Sequence, residues 1–178
     1  VHALSTGDRD LMATVIDDDA RVNALEVGID EDCQHIIARR QPAAGDLRMI
    51  LAIIKTITDL ERIGDEAQKI ARMARTIYER DAMTSPRFNE IKHVADVAVD
   101  MLRKALDSFA RLDLTATSEI VRQDLQVDEE FRAIMRQLIT FMMEDPRKIS
   151  SSLDVLFVAK AIERIGDHAK NISEYVVY

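Results

Sequence analysis

The chain has 178 residues, enough for one or two domains. It is 47% hydrophobic, which supports a real core, but only 4% aromatic with no Trp, which disfavours a carbohydrate cleft built on aromatic platforms. A net charge of −8 argues against non-specific nucleic-acid binding, which depends on Lys and Arg neutralising phosphates.

Five Gly and three Pro leave little material for turns. Abundant Ala, Ile, Leu, Met, Glu, Asp, Lys and Arg predict an all-α protein of long helices. β-branched runs bounded by turn residues are absent. The single Cys33 allows no intramolecular disulfide, and its place on an apolar helix face predicts a buried, inert thiol. The longest apolar run, Met49 to Ile54, falls far short of the roughly 20 residues of a membrane-spanning helix. No leader-like stretch opens the chain, and its start at Val1 rather than Met predicts a preceding segment.

In chain order, Val1 to Asp8 reads as the end of one helix and a short turn. A long amphipathic helix is predicted from Asp10 to Arg40, with Met12, Val15, Ile16, Val22, Ile29, Cys33, Ile36 and Ile37 on its apolar face. At about 100° per residue, Asp19, Asn23, Glu26 and Asp30 fall within that face rather than opposite it. Gln41-Pro42-Ala43-Ala44-Gly45 breaks the helix, and Asp46 opens the next, which runs to about Arg80. Its apolar line is Ile50, Ile53, Ile57, Leu60, Ile63, Ala67, Ile70 and Ala74, with Glu61 and Asp65 on its shoulder.

Residues 81–88 read as a linker between a first unit, 1–80, and a second, 89–178. Asn89 to Arg111 is predicted as a helix whose Asp96 and Asp100 face solvent. Thr115 to Glu144 is the next, with Asp124 and Asp128 inside its apolar arc. Asp145-Pro146 ends it. Ser151-Ser152-Leu153-Asp154 resembles a capping box at the start of the final helix.

Glu61-Arg62-Ile63-Gly64-Asp65 returns 102 residues later as Glu163-Arg164-Ile165-Gly166-Asp167. Each copy sets two carboxylates one helical turn apart, which destabilises a helix by roughly 0.2–0.5 kcal/mol. Each also places a glycine mid-helix, at a cost of about 1 kcal/mol against alanine. Duplicating two costly features points to a cation between the acids and a close approach at the glycine. Asp124 and Asp128 match Asp19 and Asn23 at an offset of 105. The chain is therefore two look-alike helical halves, the first lacking the counterpart of Asn89–Arg111. A bundle one wall short would expose apolar surface and favour self-association.

The acids Asp19, Glu26, Glu61, Asp65, Asp124, Asp128, Glu163 and Asp167, with Asn23, are candidate ligands for hard or borderline cations such as Mg, Mn, Fe or Zn. A ferritin-like di-metal carboxylate enzyme is the alternative, but its Glu-x-x-His element is missing. His168, the histidine beside an acid motif, is predicted to be solvated. No nucleophilic triad and no glycine-rich phosphate loop is visible. Arg39, Arg40 and Arg48 flank the first turn, either as dipole compensation or as a contact to a partner protein.

Ala38-Arg39-Arg40-Gln41-Pro42-Ala43-Ala44-Gly45-Asp46-Leu47-Arg48, Asp59 to Asp65, and Ala161 to Ala169 resemble, in order, three motifs of the PhoU family. These are the phosphate-specific transport system accessory proteins. The resemblance implies two tandem pseudo-symmetric three-helix bundles and a non-enzymatic, cytoplasmic negative regulator of phosphate uptake. It implies a link between the ATPase subunit of the phosphate ABC transporter and the sensor histidine kinase of the phosphate response, with membrane association only through those partners. It also implies homodimers, and metal at Glu61/Asp65, Asp124/Asp128 and Glu163/Asp167. In the fourth acid pair the second place is Asn23, an oxygen donor without charge.

Overall fold

The structure, a computed structural model, describes residues 1–80 and 88–176. Five long helices follow a short one: α1 (His2–Thr6), α2 (Arg9–Arg40), α3 (Ala44–Arg80), α4 (Phe88–Arg111), α5 (Thr117–Glu144) and α6 (Ile149–Tyr175). The predicted linker 81–88 lies outside the described residues except for Phe88, which opens α4. No described helix is long and apolar enough to cross a membrane.

The boundaries follow local chemistry. Asp8 caps α2 by accepting a hydrogen bond from the Leu11 N–H. α2 ends at Gln41, which takes a left-handed conformation (φ 45), ahead of Pro42. α5 stops at Asp145, whose side chain accepts from the Arg147 N–H, and a 3₁₀ turn at Pro146–Lys148 leads into α6. The predicted capping box at Ser151–Asp154 is not the start of α6. The 3₁₀ turn already runs into a helix at Ile149, and Ser152 is buried inside it.

Helices α4, α5 and α6 pack mutually as a three-helix bundle, while α2 packs along α3. The two halves meet where α3 lies against α6. That pair is antiparallel: Lys55 and Asp59 lie against Tyr175 and His168, and Glu66 lies against Arg164. One cluster of buried apolar side chains runs through all of it, including Met12, Ala74, Met101, Ile120, Val158 and Ile172. α1 tucks in beside α2, α3 and α4, burying Ala3 and Leu4.

The α3–α6 seam is unexpectedly polar. Asp59, 2% exposed, sits 2.7 Å from His168 Nδ1 and accepts a hydrogen bond of 2.8 Å from the Tyr175 hydroxyl. Glu66, equally enclosed, pairs with Arg164 at 2.8 Å and Lys69 at 2.9 Å. His168 is therefore not solvated as predicted. Its helix face is covered because α3 crosses there, which no periodicity within α6 could reveal. Asp100 also departs from expectation: it is half-buried and ties α4 to α5 by accepting from Gln123 at 2.7 Å, with Lys104 beside it. These partners, Lys104 first, hold its carboxyl below the usual range. Asp96 is exposed as predicted.

Two outcomes follow from this packing. Gly7 closes α1 at φ 72, and a Cβ there would lie 2.9 Å from Tyr78 Cε1, in a ring whose hydroxyl donates to the Leu4 carbonyl. Gly7→Ala should therefore cost about 1–3 kcal/mol and lower Tm by roughly 2–10 °C in a thermal melt. Burial, then Asp59, pushes the Tyr175 hydroxyl up to about 12. With the folded value above the ordinary 10, its stabilising contribution is complete below 10 and fades as pH rises toward 12. Absorbance titration of phenolate should show both Tyr78 and Tyr175 titrating late, with the largest shift at Tyr175, and Tyr175→Phe should remove the latest step. A wild-type titration complete by about pH 11 would contradict the buried bond.

Candidate functional site

The duplicated glycines mark where each half closes. A Cβ on Gly64 would lie 3.3 Å from Val22 Cγ1 and 3.4 Å from Asp19 Oδ1, so α2 rests directly on α3 at that point. In the second half a Cβ on Gly166 would meet Val127 Cγ1 at 3.6 Å and Met101 Cε at 3.7 Å. Val22 and Val127 are themselves 105 residues apart, so the repeat read from the acids also governs the packing. The close approach brings acids of facing helices together.

In the first half Asp19, Asn23 and Glu26 on α2 face Glu61 and Asp65 on α3, all half-buried. The Gln68 side-chain amide donates to Asp19 Oδ2 at 2.9 Å and to the Ile16 carbonyl at 3.3 Å. Asp19 Oδ1 and Asn23 Oδ1 are buried without a hydrogen-bond partner. Among the described residues, no cationic side chain pairs with Asp19, Glu26, Glu61 or Asp65. The Glu61 carboxyl is pushed above its usual range, by burial first and then by the charges of Asp65, Glu26 and Asp19, with Arg62 opposing. Asp30, the last residue of the predicted inward stripe, instead accepts from Gln34 on its own helix at 2.7 Å.

The second half gathers Asp124, Asp128, Glu163 and Asp167, but two of these are bound to lysines. Lys170 donates to the buried Asp124 Oδ2 at 2.8 Å. Lys160 lies 2.6 Å from Glu163 Oε1. Asp128 has Arg132 at 3.7 Å. Asp167 reaches the surface rather than pointing inward, yet its carboxyl is also raised, by the surrounding protein first and then by Glu163, Asp124 and Asp128.

The donor set in the first half fits a hard cation: all oxygen, two oxygens buried and unpartnered, and carboxylates repelling one another. Among the described residues, however, no group of three or more His, Cys, Asp or Glu side chains is arranged to hold an ion as it stands. His168 Nδ1 lies 2.7 Å from Asp59 across the α3–α6 seam, and among the described residues His168 belongs to no group of three or more His, Cys, Asp or Glu placed to hold an ion. Cys33 is buried, and its thiol is raised by that burial and by Asp30 and Asp32.

Asp59, Glu66, Gln68, Lys160 and Lys170 escaped the sequence reading. A signal for two of them existed. Asp59, Ile63, Glu66 and Ile70 follow one another at helical spacing on a single face of α3, so acids interrupt an apolar line. The lysines gave no such signal, since a lysine three or four residues from an acid, as Lys160 is from Glu163 and Lys170 from Asp167 and Glu174, reads as a surface pair.

Comparison with known proteins covers the whole chain. A family model described as the PhoU domain matches residues 1–74 and 91–176. A phosphate-specific transport system accessory protein PhoU homolog of Pseudomonas putida is 48% identical over 100% of this chain and 69% of its own length. The phosphate-specific transport system accessory protein PhoU of Escherichia coli K12 is 46% identical over 100% of this chain and 73% of its own. The crystal structure of PhoU from Pseudomonas aeruginosa superposes with a TM-score of 0.94 at 46% identity, covering 99% of this chain and 84% of that one. PhoU from Streptococcus pneumoniae, described as a phosphate transport system regulatory protein, gives 0.88 at 26% identity over 99% and 82%.

The two glycines should respond differently to alanine. At Gly166 the added methyl meets neighbours at ordinary distance, so Gly166→Ala should gain about 1 kcal/mol of helix propensity and raise Tm by roughly 2–4 °C. At Gly64 it presses on Val22 and Asp19, and the gain should be cancelled or reversed. Equal melting of the two variants would show that α2 yields freely at Gly64.

Proposed function

We propose that this chain, which belongs to the PhoU family, is a non-enzymatic regulator of phosphate uptake that restrains the phosphate-starvation response. In this reading it links the ATPase subunit of a phosphate ABC transporter to the sensor histidine kinase. The observation that carries the proposal is the match of both helical halves, in order and over the full chain, to proteins named as phosphate transport accessory proteins. Paired helices presenting long faces, rather than a cleft around a nucleophile, suit an adaptor. Arg48 and Lys55 rim a shallow cleft of about 250 Å³ floored by Leu51, Ala52 and Tyr175 where α3 meets the end of α6. With Arg39 and Arg40 exposed nearby in sequence, this end supports the partner-contact reading of the first turn.

Asp19, Asn23, Glu26, Glu61 and Asp65 would hold a divalent or trivalent ion, with Mg, Mn, Fe and Zn as candidates. When bound, the ion would supply positive charge and a cross-link between α2 and α3. The residues themselves anchor the helices: Gln68 steers Asp19, and Gly64 sets the helix separation. Because these side chains are not arranged around an ion as they stand, binding requires the half-exposed carboxylates to change rotamer. The reading extends to self-association as a homodimer. α2 leaves Leu25, Ile29 and Ile36 exposed on one face, at 65%, 37% and 45%, an apolar strip of the kind that pairs.

Affinity capture of the tagged chain should retain the transporter ATPase and the kinase, with retention falling after chelator treatment. Recovery of neither partner, from cells grown with or without phosphate, would remove the adaptor reading. Retention unchanged by chelator would leave the adaptor and remove the ion's part in it.

A further inference from the structure

At the repeat offsets of 105 residues between α2 and α5 and 102 between α3 and α6, the two halves correspond position by position, and this exposes an exchange. Asp19 and Asp124 occupy equivalent places on α2 and α5. Each accepts at Oδ2 from the equivalent residue of the facing helix, Gln68 at 2.9 Å in one half and Lys170 at 2.8 Å in the other. The geometry is shared, but the donor is a neutral amide in the first half and an ammonium in the second.

A second exchange accompanies it. Lys160 stands where the first half has Thr58, whose hydroxyl donates to the Ile54 carbonyl of its own helix at 3.0 Å. Lys160 binds Glu163 and lies 5.3 Å above the Phe131 ring. Phe131 in turn replaces Glu26. One half therefore holds four carboxylates with no paired lysine, and the other holds four carboxylates with two lysines among them.

We infer that Lys170, with Lys160, is the built-in counter-ion of the second acid cluster, so that only the first half takes up a divalent cation, at Asp19, Asn23, Glu26, Glu61 and Asp65. The cation half of this inference rests on the metal reading above; the lysine half does not. An ion entering the second half must compete for Asp124, only 5% exposed, with the ammonium of Lys170, whose side chain is 32% exposed and already holds that carboxylate at 2.8 Å. An ion entering the first half displaces no charge and satisfies Asp19 Oδ1 and Asn23 Oδ1, which otherwise stay unpartnered.

The test exchanges the two side chains. Wild type, Gln68→Lys and Lys170→Gln are stripped with chelator, melted by circular dichroism, and titrated with Mn(II) by equilibrium dialysis. Without metal, Gln68→Lys should melt above wild type by several degrees and Lys170→Gln below it. Gln68→Lys should bind Mn(II) at least tenfold more weakly. Lys170→Gln should gain a Mn(II) site that wild type lacks, and Asp124→Asn should abolish it. Chelator melts that do not move in these directions would overturn the counter-ion role. Wild-type binding that Asp124→Asn weakens as much as Asp19→Asn would overturn the restriction to the first half. If wild type binds no Mn(II), the metal reading and the cation half fall together, while the chelator melts still decide the role of Lys170.

Discussion

The crossing of α3 over α6 is the contact on which the rest of the molecule depends. Each helix turns one face to its own half and another to its counterpart, and the ERIGD repeats lie close to the crossing. Ile63 and Ile165 provide apolar packing near its centre. To either side lie buried polar groups: Asp59 with His168 and Tyr175, and Glu66 with Arg164. A buried acid without its partner costs far more than the pair contributes. The seam therefore tolerates one register of the two helices and penalises others, which specifies how the halves sit.

With the register set, α2 and α5 fall into matching places. Gly64 and Gly166 admit Val22 and Val127, and the acids beside those valines are carried up against the acids of the facing helix. Carboxylate crowding is thus a consequence of close helix approach as much as of composition. The halves answer it differently. In the second, the ammonium groups of Lys160 and Lys170 lie within bonding distance. In the first, an amide from Gln68 meets one oxygen of Asp19 and leaves the other unmatched. Duplicated helices have kept their backbone relationship while their electrostatics diverged.

Much of this architecture was readable before any coordinates. The helix limits came within a few residues of those observed, because Pro42, Pro146 and the capping Asp8 act on their immediate neighbours. The twofold repeat was visible because identical letters recur at a constant offset. The departures have two causes, one tertiary and one local. His168, placed in water from the polarity of its own helix face, is covered by α3, while Asp100 keeps about half of its side chain in solvent (48% exposed) and reaches across to Gln123 of α5. The capping signal at Ser151 lost to a 3₁₀ turn that had already started the helix at Ile149.

What the chain determined by itself is what short-range physics controls: helix content, breaks at Pro and at helix ends, the apolar stripe of each helix, and the pairing of acids one turn apart. What only the tertiary structure decided is which polar residues meet across helices. Lys170 could have reached solvent, and instead it bonds Asp124, 46 residues away in sequence. Gln68 could have done the same, and it bonds Asp19. Periodicity orients a side chain around its own axis, but the partner it finds depends on the angle and register of a second helix, which is set by the packing of the whole core.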